Sequence, residues 1–181
     1  MVPPPSHGPT LRTSRLVLRP FQPRDVETVA AYVSDPEWLR YLAPDFPDAE
    51  RLVEAGMRID WTRECAFAIE LTGDLVGSVH LGYENPNPVG ELACLVRPAN
   101  WRKGLAVEAC EATIRYGFDH LGLEKVFARA DVRNAASVRG MEKLGMRNEG
   151  RLRKHRLSRD GTRVDEVVYG LLRSEWHAGS A

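Results

Sequence analysis

The sequence predicts one α/β domain of mixed α+β character, in which a twisted, mostly antiparallel sheet of about seven strands is flanked by helices. Three observations predict it. The 181 residues suit a single core and leave little room for a second. Apolar runs around glycine-containing turns indicate antiparallel strand pairs toward both ends of the chain. Between them, a strand-helix-strand-helix order indicates a central β-α-β unit.

The two ends of the chain are predicted to lie outside this domain. Proline is frequent in residues 1–10, and because proline lacks a backbone donor, we expect a disordered tail there. The domain is predicted to span 11–176, and 177–181 to form a short C-terminal tail. The first residues have neither a basic region nor an apolar stretch, so we expect no signal peptide.

The first half of the chain predicts three strands and two helices. The strands are short apolar runs bounded by proline or glycine: 16–19, 65–71 and 75–83. The helices follow from the spacing of apolar residues and from their bounding breakers: 24–33 and 49–63. Pro20 and Pro23 separate the first strand from the first helix. Gly73 and Asp74 lie between two apolar runs, which is the signal of a β-hairpin.

The second half predicts the β-α-β unit, another helix and a final hairpin. The strands are apolar or mixed runs: 90–96, 126–132, 146–157 and 163–172. A long helix is predicted to follow the segment 101–106 and to reach about Leu121, and a short helix is predicted over 134–144. Small residues at helical spacing, among them Ala106, Ala109 and Gly117, predict that the first of these helices lies close against the sheet. Gly122 and Gly145 are placed to end the two helices.

Charge and cysteine content argue against several classes of function. Lysine plus arginine and aspartate plus glutamate each number 25, so the net charge of zero gives no overall attraction to nucleic acid. No run of about 18 apolar residues occurs, so no membrane partner is expected. The three cysteines lie in apolar runs without a metal-ligand spacing: Cys65, Cys94 and Cys110. They favour buried free thiols in a reducing, cytoplasmic compartment, with no metal.

The segment with the most chemical content is 102–106, where a predicted strand passes through a short loop into a helix. The first amides of a helix have no partners within it, and the helix dipole adds partial positive charge, so a phosphate fits there. Gly104 permits close approach of the backbone, and Ala106 keeps the first turn open. A packing role for these two small residues is the alternative. The pattern is neither a P-loop nor a dinucleotide fingerprint.

Four motifs, far apart in the chain, resemble those of one enzyme family. They are Leu-Val-Leu-Arg-Pro at 16–20, Trp-Arg-Lys-Gly-Leu-Ala-Val-Glu-Ala at 101–109, Asn-Ala-Ala-Ser at 134–137 and Asp-Gly at 160–161. In that order they resemble the opening strand, the pyrophosphate loop with its helix, the Asn-x-x-Ser helix and the last hairpin of the GNAT superfamily of N-acetyltransferases. The likeness is closer to its RimJ/RimL-like branch, and it spans roughly 11–176.

The resemblance implies the GNAT fold and acetyl-coenzyme A as the cosubstrate. It implies that the backbone of Leu95 and Val96 binds the pantetheine arm and that Asn134 contacts the arm further on. It assigns the pyrophosphate to consecutive backbone amides: Arg102, Lys103, Gly104, Leu105 and Ala106. Asn134 is equally suited to cap a helix, and the two uses need different atoms. Trp101 stands where the superfamily commonly has Gln or Arg, and an apolar anchor under the loop is its plain structural interpretation.

Direct transfer of an acyl group to an amine asks three things of the protein. The oxyanion needs a donor, which a backbone amide near Leu95 can supply. The leaving thiolate gains from an acid, and Ser137 lies where relatives place a hydroxyl; a merely exposed polar residue is the alternative. The amine must lose a proton, and Glu91 resembles the base on the corresponding strand of relatives. Asp165 or Glu166 could serve instead, in which case Glu91 is simply solvated.

The residues leave the acceptor open. The resemblance implies a primary amine, with the α-amino group of a protein or peptide as the RimJ/RimL-like choice. A small amine, amino acid or antibiotic is one alternative, and a non-catalytic acyl-coenzyme A binding module is another. Basic residues crowd the last hairpin: Arg147, Arg151, Arg153, Lys154, Arg156, Arg159 and Arg163. They could hold the coenzyme's 3′-phosphate, an acidic peptide or ribosomal RNA, or protect a sheet edge. A monomer and a homodimer both fit.

Overall fold

Eight strands form one open sheet in the computed structural model, which describes residues 8–42, 44–83 and 87–178. The strands are β1 (Leu11–Arg12), β2 (Leu16–Arg19), β3 (Glu64–Leu71), β4 (Asp74–Tyr83), β5 (Val89–Val96), β6 (Lys125–Asp131), β7 (Arg147–Leu157) and β8 (Arg163–Leu172). The helices are α1 (Asp25–Val33), α2 (Pro36–Leu39), α3 (Ala49–Met57), α4 (Leu105–Asp119), α5 (Ala135–Lys143) and α6 (Arg173–Ala178). A short 3-10 turn covers Pro98–Asn100.

The strand order is β1-β2-β3-β4-β5-β6-β8-β7, and only β5 and β6 run parallel. Because α4 connects these two strands, β5, α4 and β6 form the central β-α-β unit. The predicted mostly antiparallel sheet around such a unit is confirmed. The sequence predicts seven strands and the sheet has eight. The strand that was not predicted is β1, which has only two residues and no apolar run.

Helices cover both faces of the sheet, and each face has its own apolar core. Alternate residues of β3 belong to different cores, because successive side chains of a strand point to opposite faces. Phe67 joins the core that contains Ile114 of α4. Ala68 joins the core that contains Val29 of α1 and Val53 of α3. Gly117 lets α4 lie close to the sheet, since a Cβ there would come within 2.6 Å of the Leu81 side chain.

Several element ends differ from the sequence predictions. The helix predicted over 49–63 ends at Met57. Beyond it, the Asp60 carboxylate accepts hydrogen bonds from the amide and hydroxyl of Thr62 at 3.0 and 2.6 Å, a local turn that competes with helix. The apolar pattern does not predict α2 or α6, which are short; α6 continues two residues past Trp176. Of the predicted tails, residues 1–7 and 179–181 lie outside the described residues.

A buried ion-pair network joins β2 to the start of α1. The guanidinium of Arg19 donates to both carboxylate oxygens of Asp25 at 2.8 Å and to Glu70 at 2.7 Å. Asp25 also accepts from the backbone amide of Gln22 at 2.8 Å. Arg19 and Asp25 are both buried. The hydrogen bond to Asp25 is the main reason that the pKa of Arg19 is raised, so this guanidinium stays charged.

The substitution Asp25→Asn is expected to lower the free energy of unfolding by about 3 kcal/mol, because it leaves the Arg19 charge short of a buried partner. Urea unfolding at pH 7 measures this. Glu54→Gln, which removes the exposed ion pair between Glu54 and Arg58, is the control and should leave stability nearly unchanged. Equal stability for the two variants would contradict the role of the buried network.

Candidate active site

The sheet opens into a wedge between β5 and β6. These strands pair only where Val89–Glu91 lies beside Lys125–Phe127. Among the described residues they do not pair again, although β5 continues beside β4 and β6 continues beside β8. Backbone groups along the inner edges of the wedge therefore lack a partner strand. Leu95 and Val96, predicted to bind the pantetheine arm, lie at the wide end of the β5 edge.

The loop between β5 and α4 has a special backbone conformation. Arg102 and Gly104 both have positive φ, +60° and +76°, on either side of Lys103, which does not. Alternation of this kind makes a concave nest of backbone amides that suits an anion. A left-handed conformation is strained for a residue with a side chain such as Arg102, and strain of this kind tends to occur at functional sites.

The same loop leaves a run of amides without partners. In the part of the chain that the structure describes, no hydrogen bond is donated by the backbone amides of 102–107. The first amide of this region that does donate is that of Glu108, to the carbonyl of Gly104 at 3.1 Å. Five of the free amides are those predicted to hold pyrophosphate, and the positive end of the α4 dipole adds to their attraction for anions.

Side chains tie this phosphate loop, 97–104, back to its own backbone. The indole Nε1 of Trp101 donates to the carbonyl of Val96 at 2.6 Å, and Lys103 Nζ donates to the carbonyl of Ala99 at 3.0 Å. Trp101 is 38% exposed, so it is a polar tether and not an apolar anchor buried under the loop. The guanidinium of Arg102 has no partner among the described residues and is available to a phosphate.

The start of α5 lies after the carboxyl end of β6. Asn134 caps the helix, because its side-chain oxygen accepts from the amide of Ser137 at 3.1 Å. The predicted capping role is confirmed, and the side-chain nitrogen of Asn134 remains able to contact a ligand. The Ser137 hydroxyl is half-buried and makes no hydrogen bond within the described residues. Since parallel strands end at the same edge of a sheet, α5 and the phosphate loop approach the wedge from its two sides.

Glu91 lies where the two strands part. Its two carboxylate oxygens accept from Nε and an Nη of Arg129, each at 2.9 Å. Both side chains are partly exposed. The hydrogen bond to Glu91 is the main cause that raises the pKa of Arg129. Glu91 is therefore held in one orientation and is not simply solvated. The pairing of Arg129 with Glu91 was not predicted from the sequence. Arg129 lies on β6, two residues beyond Phe127, and Phe127 is the residue directly opposite Glu91 on β5.

The two alternative carboxylates have different surroundings. Asp165 accepts from the amide of Lys154 at 2.8 Å and from Arg151 at 2.6 Å, and these bonds lower its pKa. It is correspondingly a poor proton acceptor. Glu166 is buried, with Arg156 at 3.0 Å and Arg129 at 3.8 Å. Arg129 therefore lies between Glu91 and Glu166 and contacts both.

A cleft of about 470 Å³ opens beside the start of α5. Its walls are α2 with the two residues after it, the turn 158–160, and Arg133, which immediately precedes Asn134. Arg156 links the cleft wall to the ion pairs around Arg129, because it binds Glu166 and also donates to the carbonyl of Tyr41 at 3.0 Å.

The comparisons with known proteins identify the family. The model of the Acetyltransferase (GNAT) domain matches residues 15–147. The chain belongs to the GNAT acetyltransferase family. A GNAT-family acetyltransferase from Bacillus anthracis has a similar structure, with a TM-score of 0.83 and 30% identity, covering 92% of this chain and all of that one. The uncharacterized N-acetyltransferase YoaA of Bacillus subtilis is 30% identical over 91% of this chain and 97% of its own.

This GNAT enzyme is an acyltransferase, and the family uses acetyl-coenzyme A as the cosubstrate. The residues present fit that cosubstrate: the wedge offers unpaired strand backbone to an extended arm, and the loop offers free amides to a diphosphate. No helix among the described residues is long and apolar enough to cross a membrane. The three cysteines are free, as predicted, with Cys65 and Cys110 buried and Cys94 half-buried.

The substitution Gly104→Glu is expected to abolish binding of coenzyme A. A carboxylate would stand at the nest and repel the phosphates, and the backbone at φ +76° strains any residue with a Cβ. Isothermal titration calorimetry measures the affinity. Gly73→Glu is the matched control, because Gly73 has φ +92° in the turn between β3 and β4 and thus carries similar strain. Unchanged affinity in Gly104→Glu, or equal loss in both variants, would refute the phosphate-loop assignment.

Proposed function

We propose that this enzyme acetylates the α-amino group of a protein or peptide, as the RimJ/RimL-like branch does. The observation that carries the proposal is the cleft beside the start of α5, because its size and its cationic walls suit an extended chain that bears acidic groups. Two relatives suggest different acceptors by name. The putative ribosomal N-acetyltransferase YdaF of Bacillus subtilis is 27% identical over 93% of its length. The spermidine N(1)-acetyltransferase of Escherichia coli is 29% identical over 74% of its length.

Charge in the cleft favours the first kind of acceptor over the second. Arg40, Arg133 and Arg159 line it, with Asp160 as the acidic residue of the lining. Arg133 is paired with Asp131 at 2.6 Å. Arg40 and Arg159 have no acidic partner among the described residues. Polyamines carry several positive charges and would be repelled, whereas acidic side chains near a peptide N-terminus would be attracted.

The roles that we propose for the enzyme's own groups follow from their positions. When bound, acetyl-coenzyme A supplies the thioester carbonyl and a thiolate leaving group. A backbone amide of β5 near Leu95 stabilises negative charge on the carbonyl oxygen. Glu91 receives the proton of the attacking amine through a water, because Arg129 already occupies one lone pair on each carboxylate oxygen and leaves the others available. The Ser137 hydroxyl donates a proton toward the leaving sulfur.

An acidic peptide with a free α-amino group is expected to be acetylated at that group in preference to its internal lysines and in preference to spermidine. The pKa of an α-amino group is near 7.7–8.0, against about 10.4 for lysine, so at pH 7 roughly a tenth of it is neutral. Thiol release from acetyl-coenzyme A, followed by mass spectrometry of the product, measures this. The same peptide with amides in place of its carboxylates is the control and should have a higher KM. Label mainly on lysine, or faster turnover of spermidine, would overturn the proposal.

The substitution Glu91→Gln is expected to lower kcat by about 10²–10⁴, because the amide keeps the shape of the side chain and cannot take a proton. The KM for acetyl-coenzyme A should hardly change. Raising the pH should recover part of kcat, since more of the amine is then neutral without help. Asp165→Asn is the control and should keep the parent pH–rate profile. If the pH–rate profile of Glu91→Gln matched that of the parent at every pH, Glu91 would not be the base, and Glu166→Gln would be tested next.

A further inference from the structure

The first turn of α4 carries a carboxylate that binds the turn between β1 and β2. Oε1 of Glu108 accepts from the Thr13 hydroxyl at 2.5 Å, the Ser14 hydroxyl at 3.0 Å and the Arg15 amide at 2.9 Å. Oε2 accepts from Nε of Arg15 and pairs with an Nη, each at 2.6 Å. Three consecutive residues, more than 90 positions away in the sequence, thus converge on one carboxylate.

Arg15 continues from this carboxylate to the phosphate loop. Its other Nη donates to the carbonyl of Lys103 at 2.9 Å. Lys103 is the residue between the two left-handed positions of the nest. A Cβ added at Gly104 would lie 3.5 Å from Arg15, so the guanidinium is in contact with the loop where the nest turns into the helix.

These contacts hold the loop without using any of its amides. Helix starts are commonly fixed by an N-cap side chain that binds the first free amides. The N-cap of α4 is Gly104, which has no side chain, and a cap of that kind would occupy the donors that a phosphate needs. Arg15 binds a carbonyl instead, and Glu108 is bound through its side chain, so the amides of 102–107 remain free while the strained loop is restrained.

The same contacts compensate a charge that would otherwise weaken binding. A carboxylate in the first turn of α4 repels a phosphate placed at the start of that helix. Arg15 supplies the opposite charge. Burial alone would raise the pKa of Glu108, but the hydrogen bonds from Thr13, Arg15 and Ser14 outweigh it and lower the pKa to about 2. The carboxylate therefore stays ionised and paired at neutral pH; its stabilising effect is complete above about pH 4.5 and is lost as the pH falls toward 2.

We propose that Arg15 and Glu108 are positioning residues for acetyl-coenzyme A, forming a clamp between the β1–β2 turn and the phosphate loop that keeps the amide nest open for the diphosphate. The inference rests on the phosphate loop and is independent of which amine is the acceptor. It assigns to the β1–β2 turn an indirect part in cosubstrate binding, through the phosphate loop.

The experiment compares Glu108→Gln and Arg15→Gln with the parent full-length enzyme. We expect the KM for acetyl-coenzyme A and the calorimetric Kd for coenzyme A to rise about tenfold or more, which is the usual effect of losing a hydrogen bond to a charged group. At saturating cosubstrate kcat should stay within about twofold. The double variant should be little worse than either single one, because the two residues act as a unit. Arg15→Lys, which keeps the charge, should recover part of the affinity.

Glu111→Gln is the matched control, since Glu111 is exposed and lies three residues further along α4; it should leave KM and Kd unchanged. A lower Tm with unchanged KM and Kd in Glu108→Gln would overturn the clamp and leave a purely structural tether. Equal losses of affinity in Glu108→Gln and Glu111→Gln would also overturn it.

If Glu108→Gln does not fold, Ser14→Ala is the substitute test, because it removes the hydrogen bond from the Ser14 hydroxyl to Glu108. A higher Kd for coenzyme A in Ser14→Ala would support the clamp, and an unchanged Kd would refute it. Calorimetry with coenzyme A needs no acceptor, so this test of the clamp remains valid even if the proposed acceptor is wrong.

Discussion

The parting of β5 and β6 is the constraint on which the rest of this structure depends. Inside a sheet, backbone donors and acceptors normally find partners on both sides, and an edge without a partner strand invites other chains. Here the two strands keep their outer neighbours and separate from each other, so the unpaired edges face inward and open toward the carboxyl ends. An extended ligand with amide groups of its own, such as a pantetheine arm, has the chemistry to replace the missing strand.

A second set of free backbone groups lies at the wide end of that wedge, and it needs support of a different kind. The phosphate loop includes an arginine with a strained backbone and a helix start without a side-chain cap, so other contacts have to hold its conformation. Three side chains hold it, and each donates to a backbone carbonyl. Trp101 binds the carbonyl of Val96, Lys103 binds that of Ala99, and Arg15 binds that of Lys103. The shared physical rule is that the restraints use acceptors and leave the donors free.

Local features of this fold could be predicted from the sequence, and long-range ones could not. Strand and helix positions follow from apolar spacing, and Gly104 and Asn134 signal their roles through backbone freedom and capping chemistry. The end of α3 was missed because an Asp60–Thr62 turn outweighs a helical pattern. The pairs Glu91–Arg129 and Arg15–Glu108 join residues 38 and 93 positions apart. The register of β5 and β6 brings the first pair together, and the packing of α4 beside the β1–β2 turn brings the second. The cleft was not predicted because its walls come from segments far apart in the sequence.

The net charge of the chain does not predict where charge lies on its surface. A chain with equal numbers of acidic and basic residues gives no hint of an anionic partner, because its total field cancels. In the fold, carboxylates pair with many of the arginines, as Asp165 does with Arg151 and Glu166 with Arg156. Ion pairs of this kind neutralise three of the seven basic residues of the last hairpin, namely Arg147, Arg151 and Arg156. Arg159, which has no acidic partner among the described residues, lines the cleft. Under the proposed function, selectivity for an acceptor would depend on the cations that remain unpaired at the cleft, and the amino-acid composition alone does not reveal which ones these are.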